Sequence, residues 1–119
     1  MSQDSISFDS LLDICRNQHR RIVLGVLKGE QRSVTLTDLT MAVLKYNHQT
    51  TIAKASEDVL REIRLTLYHV HLPRLASEGF VRYCLEQQLV EPTQKLAQVQ
   101  PTLDPILDTD PSLETPIEL

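Results

Sequence analysis

Apolar residues recur at helical spacing through the first part of the chain, at Phe8, Leu11, Leu12 and Cys15, then at Ile22, Val23, Val26 and Leu27. Ser7 stands before the first run and Asn17 at its interruption, both suited to cap a helix start. The pattern predicts two short helices, or one bent helix, ending near Gly29. Ser33-Val34-Thr35 reads as a short strand leading into Thr35-Leu36-Thr37-Asp38, where a threonine hydroxyl and an acid three residues on can satisfy orphan N–H groups. A third helix follows, with Leu36, Leu39, Val43 and Tyr46 in line, and then a polar connector over Asn47 to Ala55.

Ser56 caps the next helix, and Glu57 and Asp58 in its first turn suit the helix dipole. The apolar positions carry this helix from Glu57 to Glu78, with a kink expected at Pro73 and a stop at Gly79. Phe80 to Leu85 alternates, Glu86-Gln87-Gln88 makes a turn and Leu89-Val90-Glu91 returns, a two-stranded hairpin. After Pro92 the prolines at 101, 105, 111 and 116 crowd the chain. Two turns of helix are expected over Thr93 to Gln100, with Leu96 and Val99 facing the body, and a flexible tail from Pro101 onward. The expected division is a folded domain over residues 6–95 and an acidic, proline-rich tail over residues 96–119. The fold class that follows is mainly α with a small β-hairpin.

Charge sharpens that division. The chain carries 12 basic and 16 acidic residues, a net −4. All 12 bases lie within residues 1–95 beside 11 acids, so the body is near +1. Residues 96–119 hold the other five acids and no base, so the tail is −5. No apolar stretch approaches the ~20 residues of a membrane-spanning helix, and Met1-Ser2-Gln3-Asp4-Ser5 lacks the positive start of a secretory signal. Cys15 and Cys84 form no CxxC pair and read as small core thiols in a reducing cytoplasm.

Helix, helix, short strand, helix, long helix and hairpin is the order of elements in a winged helix-turn-helix domain. The stretch from Leu67 to Val81, LYHVHLPRLASEGFV, resembles the signature that ends the recognition helix and begins the wing in ArsR- and MarR-like regulators. The upstream run LLDICRNQHRR at 11–21 and the Tyr68-His69-Val70-His71-Leu72-Pro73 segment are similar to small haloarchaeal winged-helix domains whose role is unassigned. The resemblance covers roughly residues 8–92. It implies a cytoplasmic DNA-binding regulator of transcription.

In such a domain the recognition helix enters the major groove while phosphate contacts surround it. Arg61, Arg64, Thr66 and His69 are the side chains suited to base edges and phosphates, and Thr37 at the preceding helix start joins them. Val59, Leu60, Ile63, Leu65, Leu67 and Val70 wrap most of that helix, however, so the polar strip is narrow and burial of the same face is an equal reading. Arg20 and Arg21, with Arg16, Lys28 and Arg32, could neutralise phosphates, or could be a solvated face. Arg82, Gln87, Gln88 and Lys95 belong to the wing and could follow the DNA backbone.

His69 and His71 point about 200° apart on a helix and cannot share an ion, so no metal site is expected and His71 reads as a structural histidine. Neither a phosphate-binding glycine loop nor a GxSxG or HExxH motif is present, so neither catalysis nor a cofactor is expected. The surplus of apolar residues on the long helix and around Leu96 and Val99 suggests a homodimer on double-stranded DNA. The alternative is a protein-interaction module that keeps this fold without DNA, with a protein as its partner.

Overall fold

A computed structural model describes residues 8–47, 56–111 and 113. The Ser7 cap, the connector beyond Asn47 and the last acidic residues lie outside the described residues. Among these residues six α-helices and three short strands follow in the order α1 (Phe8–Cys15), α2 (Gln18–Glu30), β1 (Val34–Thr35), α3 (Leu36–Asn47), α4 (Glu57–Thr66), α5 (Leu72–Ser77), β2 (Val81–Cys84), β3 (Leu89–Pro92) and α6 (Gln94–Thr109). A single π turn, Leu67–His71, joins α4 to α5.

The helix starts are made by the residues the sequence marks. Asn17 Oδ1 accepts from the His19 N–H at 2.8 Å, Thr35 Oγ1 from the Asp38 N–H at 2.9 Å and Ser56 Oγ from the Val59 N–H at 3.2 Å. α2 runs past Gly29 and stops at Gln31, which takes the left-handed conformation (φ 55°) and sends its N–H to Leu27 O. α5 ends at Gly79 (φ 84°). There the Gly79 N–H returns to Ala76 O and the Phe80 N–H to Leu75 O, the paired bonds of a Schellman stop. A Cβ at position 79 would also sit 3.2 Å from Lys95 Cδ. Gly79→Ala should therefore cost about 1–2 kcal/mol of stability, visible as a lower urea midpoint; an unmoved midpoint would contradict this account of the turn.

The long helix expected over 57–78 is interrupted by a π turn rather than a simple kink. Pro73 has no N–H, and its ring would collide with the carbonyl four residues back in α geometry. The backbone widens instead, and the Leu72 N–H reaches Leu67 O five residues away.

The hairpin is extended by one strand. β2 and β3 pair antiparallel with Val81 opposite Pro92 and Cys84 opposite Leu89, and β1 adds to the far side of β3 through Val34 and Val90. The sheet order is β1-β3-β2. A mainly helical domain with a small antiparallel sheet, in which the α3–α4 helix pair precedes a hairpin, is compatible with a winged helix.

The core is one cluster. Ile22, Val23, Leu24, Val26 and Leu27 of α2 meet Leu39 and Val43 of α3, Ile63, Leu67, Leu72 and Leu75 of the α4–α5 run, and Phe80, Val81 and Val90 of the sheet. α6 contributes Leu96, Leu103 and Leu107 to the same cluster, with Leu113 beyond it. The flexible tail expected from Pro101 is thus corrected for residues 101–109, which are helical, and the boundary expected after residue 95 falls inside α6. Pro101 and Pro105 both lie on the exposed side of α6, so the carbonyls they leave unpaired face water. The opposite side, with Leu96, Val99, Leu103, Ile106 and Leu107 at spacings of three and four, is held by burial. Two ion pairs fasten it. Lys28 pairs with Asp104, and Arg21 Nε donates to Asp110 Oδ2 at 2.9 Å.

Candidate functional site

Three of the side chains picked out by sequence meet where α3, α4 and the hairpin converge, and a fourth stands beside them. Arg64 donates to Gln88 Oε1 at 2.9 Å and to Thr37 Oγ1 at 3.4 Å. Gln88 holds the hairpin turn in the left-handed region (φ 51°), and its carbonyl accepts from the Leu36 N–H at 3.0 Å. One guanidinium thereby ties the first turn of α3 to α4 and to the tip of the hairpin. Arg61 stands one turn earlier, exposed, with Asp58 at 3.8 Å. It lines a shallow hollow together with Thr37, Met41, Glu57, Leu60 and Arg64.

The remaining positions of that helix are arranged differently. Thr66 is half-buried and its hydroxyl donates back to Glu62 O at 2.8 Å, which occupies the donor a phosphate would need. His69 is exposed, edge-on to Tyr68 at 4.7 Å between ring centroids, and Tyr68 is edge-on to Tyr83 in β2. The outward strip also contains two residues that sequence reasoning assigned to the apolar wrap. Leu65 is 49% and Val70 52% exposed. A strict four-residue repeat, Ile63-Leu67-His71-Leu75, marks the inward line and is the signal that would have placed them outside.

The basic residues near the N-terminus serve the fold of α1 and α6. Arg20 donates through Nε to Ile14 O at 2.7 Å and through Nη2 to Asp13 O at 3.1 Å, and Arg21 donates through Nη1 to Cys15 O at 2.5 Å. These are the carbonyls that the end of a helix leaves without partners. Lys28 is taken by Asp104 and Arg32 pairs with Glu30 at 3.2 Å. Arg82, exposed on β2, stands opposite Glu91 in the ladder at 4.0 Å. Lys95 donates to Glu78 O at 2.6 Å, and Gln87 is exposed at the hairpin tip. Arg61, Arg64, Thr37 and Gln88 are therefore brought together, while Arg20 and Arg21 belong to the end of α1.

Burial moves two groups far from their ordinary values. His71 is 3% exposed and lies edge-on to His19 at 5.3 Å. Desolvation, helped by His19 and Arg20, pushes its pKa down to about 4, and its Nδ1 finds no partner among the described residues. The hydrogen bond expected of a structural histidine is thus absent at that atom. Burial likewise pushes the Cys15 thiol up to about 11, against the pull of Arg21 and Arg20, which keeps it protonated and unreactive near neutral pH. Cys84 is exposed and not a core thiol, because the alternation of β2 turns Val81 inward and Cys84 outward.

No group of three or more histidine, cysteine or acidic side chains placed to hold a metal occurs among the described residues. Among the same residues no helix is long and apolar enough to cross a membrane. Comparison with curated proteins and with solved structures gives no match. Residues 12–91, which run from α1 to the end of the hairpin and include every residue of the Arg64 junction, match a domain of unknown function (DUF7344), and the chain belongs to that family.

Proposed function

We propose that this protein is a cytoplasmic, DNA-binding transcriptional regulator of winged helix-turn-helix type, acting as a homodimer without catalysis or cofactor. The observation that carries the reading is the Arg64 junction. It holds the start of α3, the length of α4 and the hairpin tip in one fixed relation, with Arg61 exposed beside it. A helix pair and hairpin locked this way can enter a groove as a unit, with Arg61, Arg82 and Gln88 on phosphates or base edges. Two copies related by a two-fold axis would present two such heads to half-sites about one DNA turn apart.

The test is a titration of the full chain against the DNA upstream of its own gene and against an unrelated duplex, at several salt concentrations. Arg61→Gln is the informative variant, since an exposed residue can be changed without disturbing the core. It should weaken binding and reduce the slope of log affinity against log salt by about one. The absence of any salt-sensitive binding to either duplex would sink the reading. One observation favours a protein-interaction role instead, namely the exposed Leu65 and Val70 on the same strip as Arg61 and His69. Salt-sensitive binding of the full chain to duplex DNA would set that role aside, since the interaction module keeps the fold without DNA.

A further inference from the structure

A separate cluster lies at the other end of the α4–α5 run. Asp13 of α1, Arg16 in the turn before α2, Arg20 of α2, and Val70 and Arg74 from the α5 side line a single open hollow. Arg16 and Arg20 stand four residues apart, a spacing that would put them on one face of an unbroken helix. In the fold Asn17 caps α2 between them, and they meet instead across the turn. Arg74 comes to them from more than fifty residues away in sequence.

Asp13 organises the group. One carboxylate oxygen pairs with Arg16 Nη2 at 3.4 Å and the other with Arg74 Nη2. Arg20 spends Nε and Nη2 on the carbonyls of Ile14 and Asp13, which fixes its plane. Three guanidiniums facing one carboxylate leave the hollow with an excess of two positive charges. Each guanidinium has five N–H donors, and among the described residues Arg16 and Arg74 each use only the nitrogen that meets Asp13. Cationic crowding is felt by Arg20, whose pKa is lowered by burial first and then by Arg74 and, less, by Arg16, while Asp13 raises it. A protein surface carries such an excess at a cost unless an anion relieves it.

From this arrangement we infer that Arg16, Arg20 and Arg74 form a binding site for a phosphate group. A phosphate monoester brings about −1.5 to −2 charge near neutral pH, which matches the excess, and its oxygens suit the planar forks of arginine. The inference does not rest on the DNA reading, because the site would take the phosphate of a small phosphorylated ligand whether or not the protein binds DNA.

The probe is inorganic phosphate, compared with chloride at matched ionic strength on the full chain. Phosphate should raise the melting temperature and shift the Nε–Hε NMR signals of Arg16, Arg20 and Arg74. Arg16→Gln should weaken phosphate about threefold to tenfold, with the melting temperature in chloride unchanged, since that side chain is 79% exposed. Asp13→Asn removes the competing carboxylate and should tighten phosphate binding even where it loosens the link between α1 and α5. A purely structural salt-bridge cluster would show no such gain. Equal behaviour in phosphate and chloride, or a phosphate effect undiminished in Arg16→Gln, overturns the proposal. Adding a DNA duplex to the phosphate-bound protein then identifies the source. Displacement of phosphate assigns the site to the DNA backbone, and retention assigns it to a free phosphorylated molecule; both require the site.

Discussion

Ending the chain at Gln100 will lower its melting temperature by roughly 15 °C or more. The removed segment is the second half of α6, which supplies Leu103 and Leu107, both fully buried, and Leu113 beyond. Two buried leucines alone are worth roughly 4–10 kcal/mol by the cost of Leu→Ala changes, a large share of the roughly 5–15 kcal/mol that holds a domain together. At this chain length each lost kcal/mol lowers the midpoint by about 4 °C. Truncation also strips Asp110 from Arg21, whose side chain is 21% exposed, and Asp104 from Lys28. The double substitution Leu103→Ala with Leu107→Ala keeps every charge and separates the packing loss from the electrostatic one. Calorimetry or circular dichroism on both variants measures the effect. A midpoint within a few degrees of the full chain would mean that α6 does not contribute to the core in solution.

Acid will destabilise the domain through His71. In the folded state burial beside His19 and Arg20 keeps this ring neutral down to about pH 4, whereas in the unfolded chain it accepts a proton near its ordinary value of 6.5. The unfolded state therefore binds more protons between those values, and stability falls as pH falls. The contribution is fully present above pH 6.5, is lost progressively toward pH 4, and amounts to about 3 kcal/mol over the interval. His71→Phe keeps the bulk of the side chain without the titration. Its urea midpoint should change less with pH across that window than that of the parent protein. Parallel pH profiles for the two proteins would remove His71 as the acid-sensitive group.

Local signals were legible in the sequence and long-range ones were not. Asn17, Thr35, Ser56 and Gly79 act on backbone groups a few residues away, so their residue types alone announce the helix ends. The hairpin was legible for the same reason, through alternation on either side of a polar turn. α6 was misread because Pro101 and Pro105 break hydrogen bonds whichever way they face, and only the folded chain shows that they face water. The stripe from Leu96 through Leu103 to Leu107 was there to be found, but it competes with an acidic composition that reads as solvated. Arg21 and Lys28 illustrate the same limit, since the acids that take them are more than seventy residues away. Arg61, Arg64, Thr37 and Gln88 were named as candidates from residue type and position. The meeting of Thr37 and Gln88 on the Arg64 guanidinium depends on how the hairpin tip returns over α3.

The π turn at Leu67–His71 bears on how this helix accommodates changes in chain length. Geometrically it is an α-helix that has taken in one extra residue without turning the part that follows. Arg61, Leu65 and His69 accordingly share an outward line, and Ile63, Leu67, His71 and Leu75 an inward one, although a repeat of four would drift out of phase in an unbroken α-helix. The wider turn absorbs that drift and accommodates the missing N–H of Pro73 in the same step. The one extra residue already present leaves the core lines on both sides in phase, and its removal would do the same only if residue 73 could then donate a hydrogen bond. Chain length in this segment and the identity of residue 73 are thus coupled, since removing one residue would demand an N–H donor in place of Pro73 if the two arginine-bearing ends of the helix are to keep their directions.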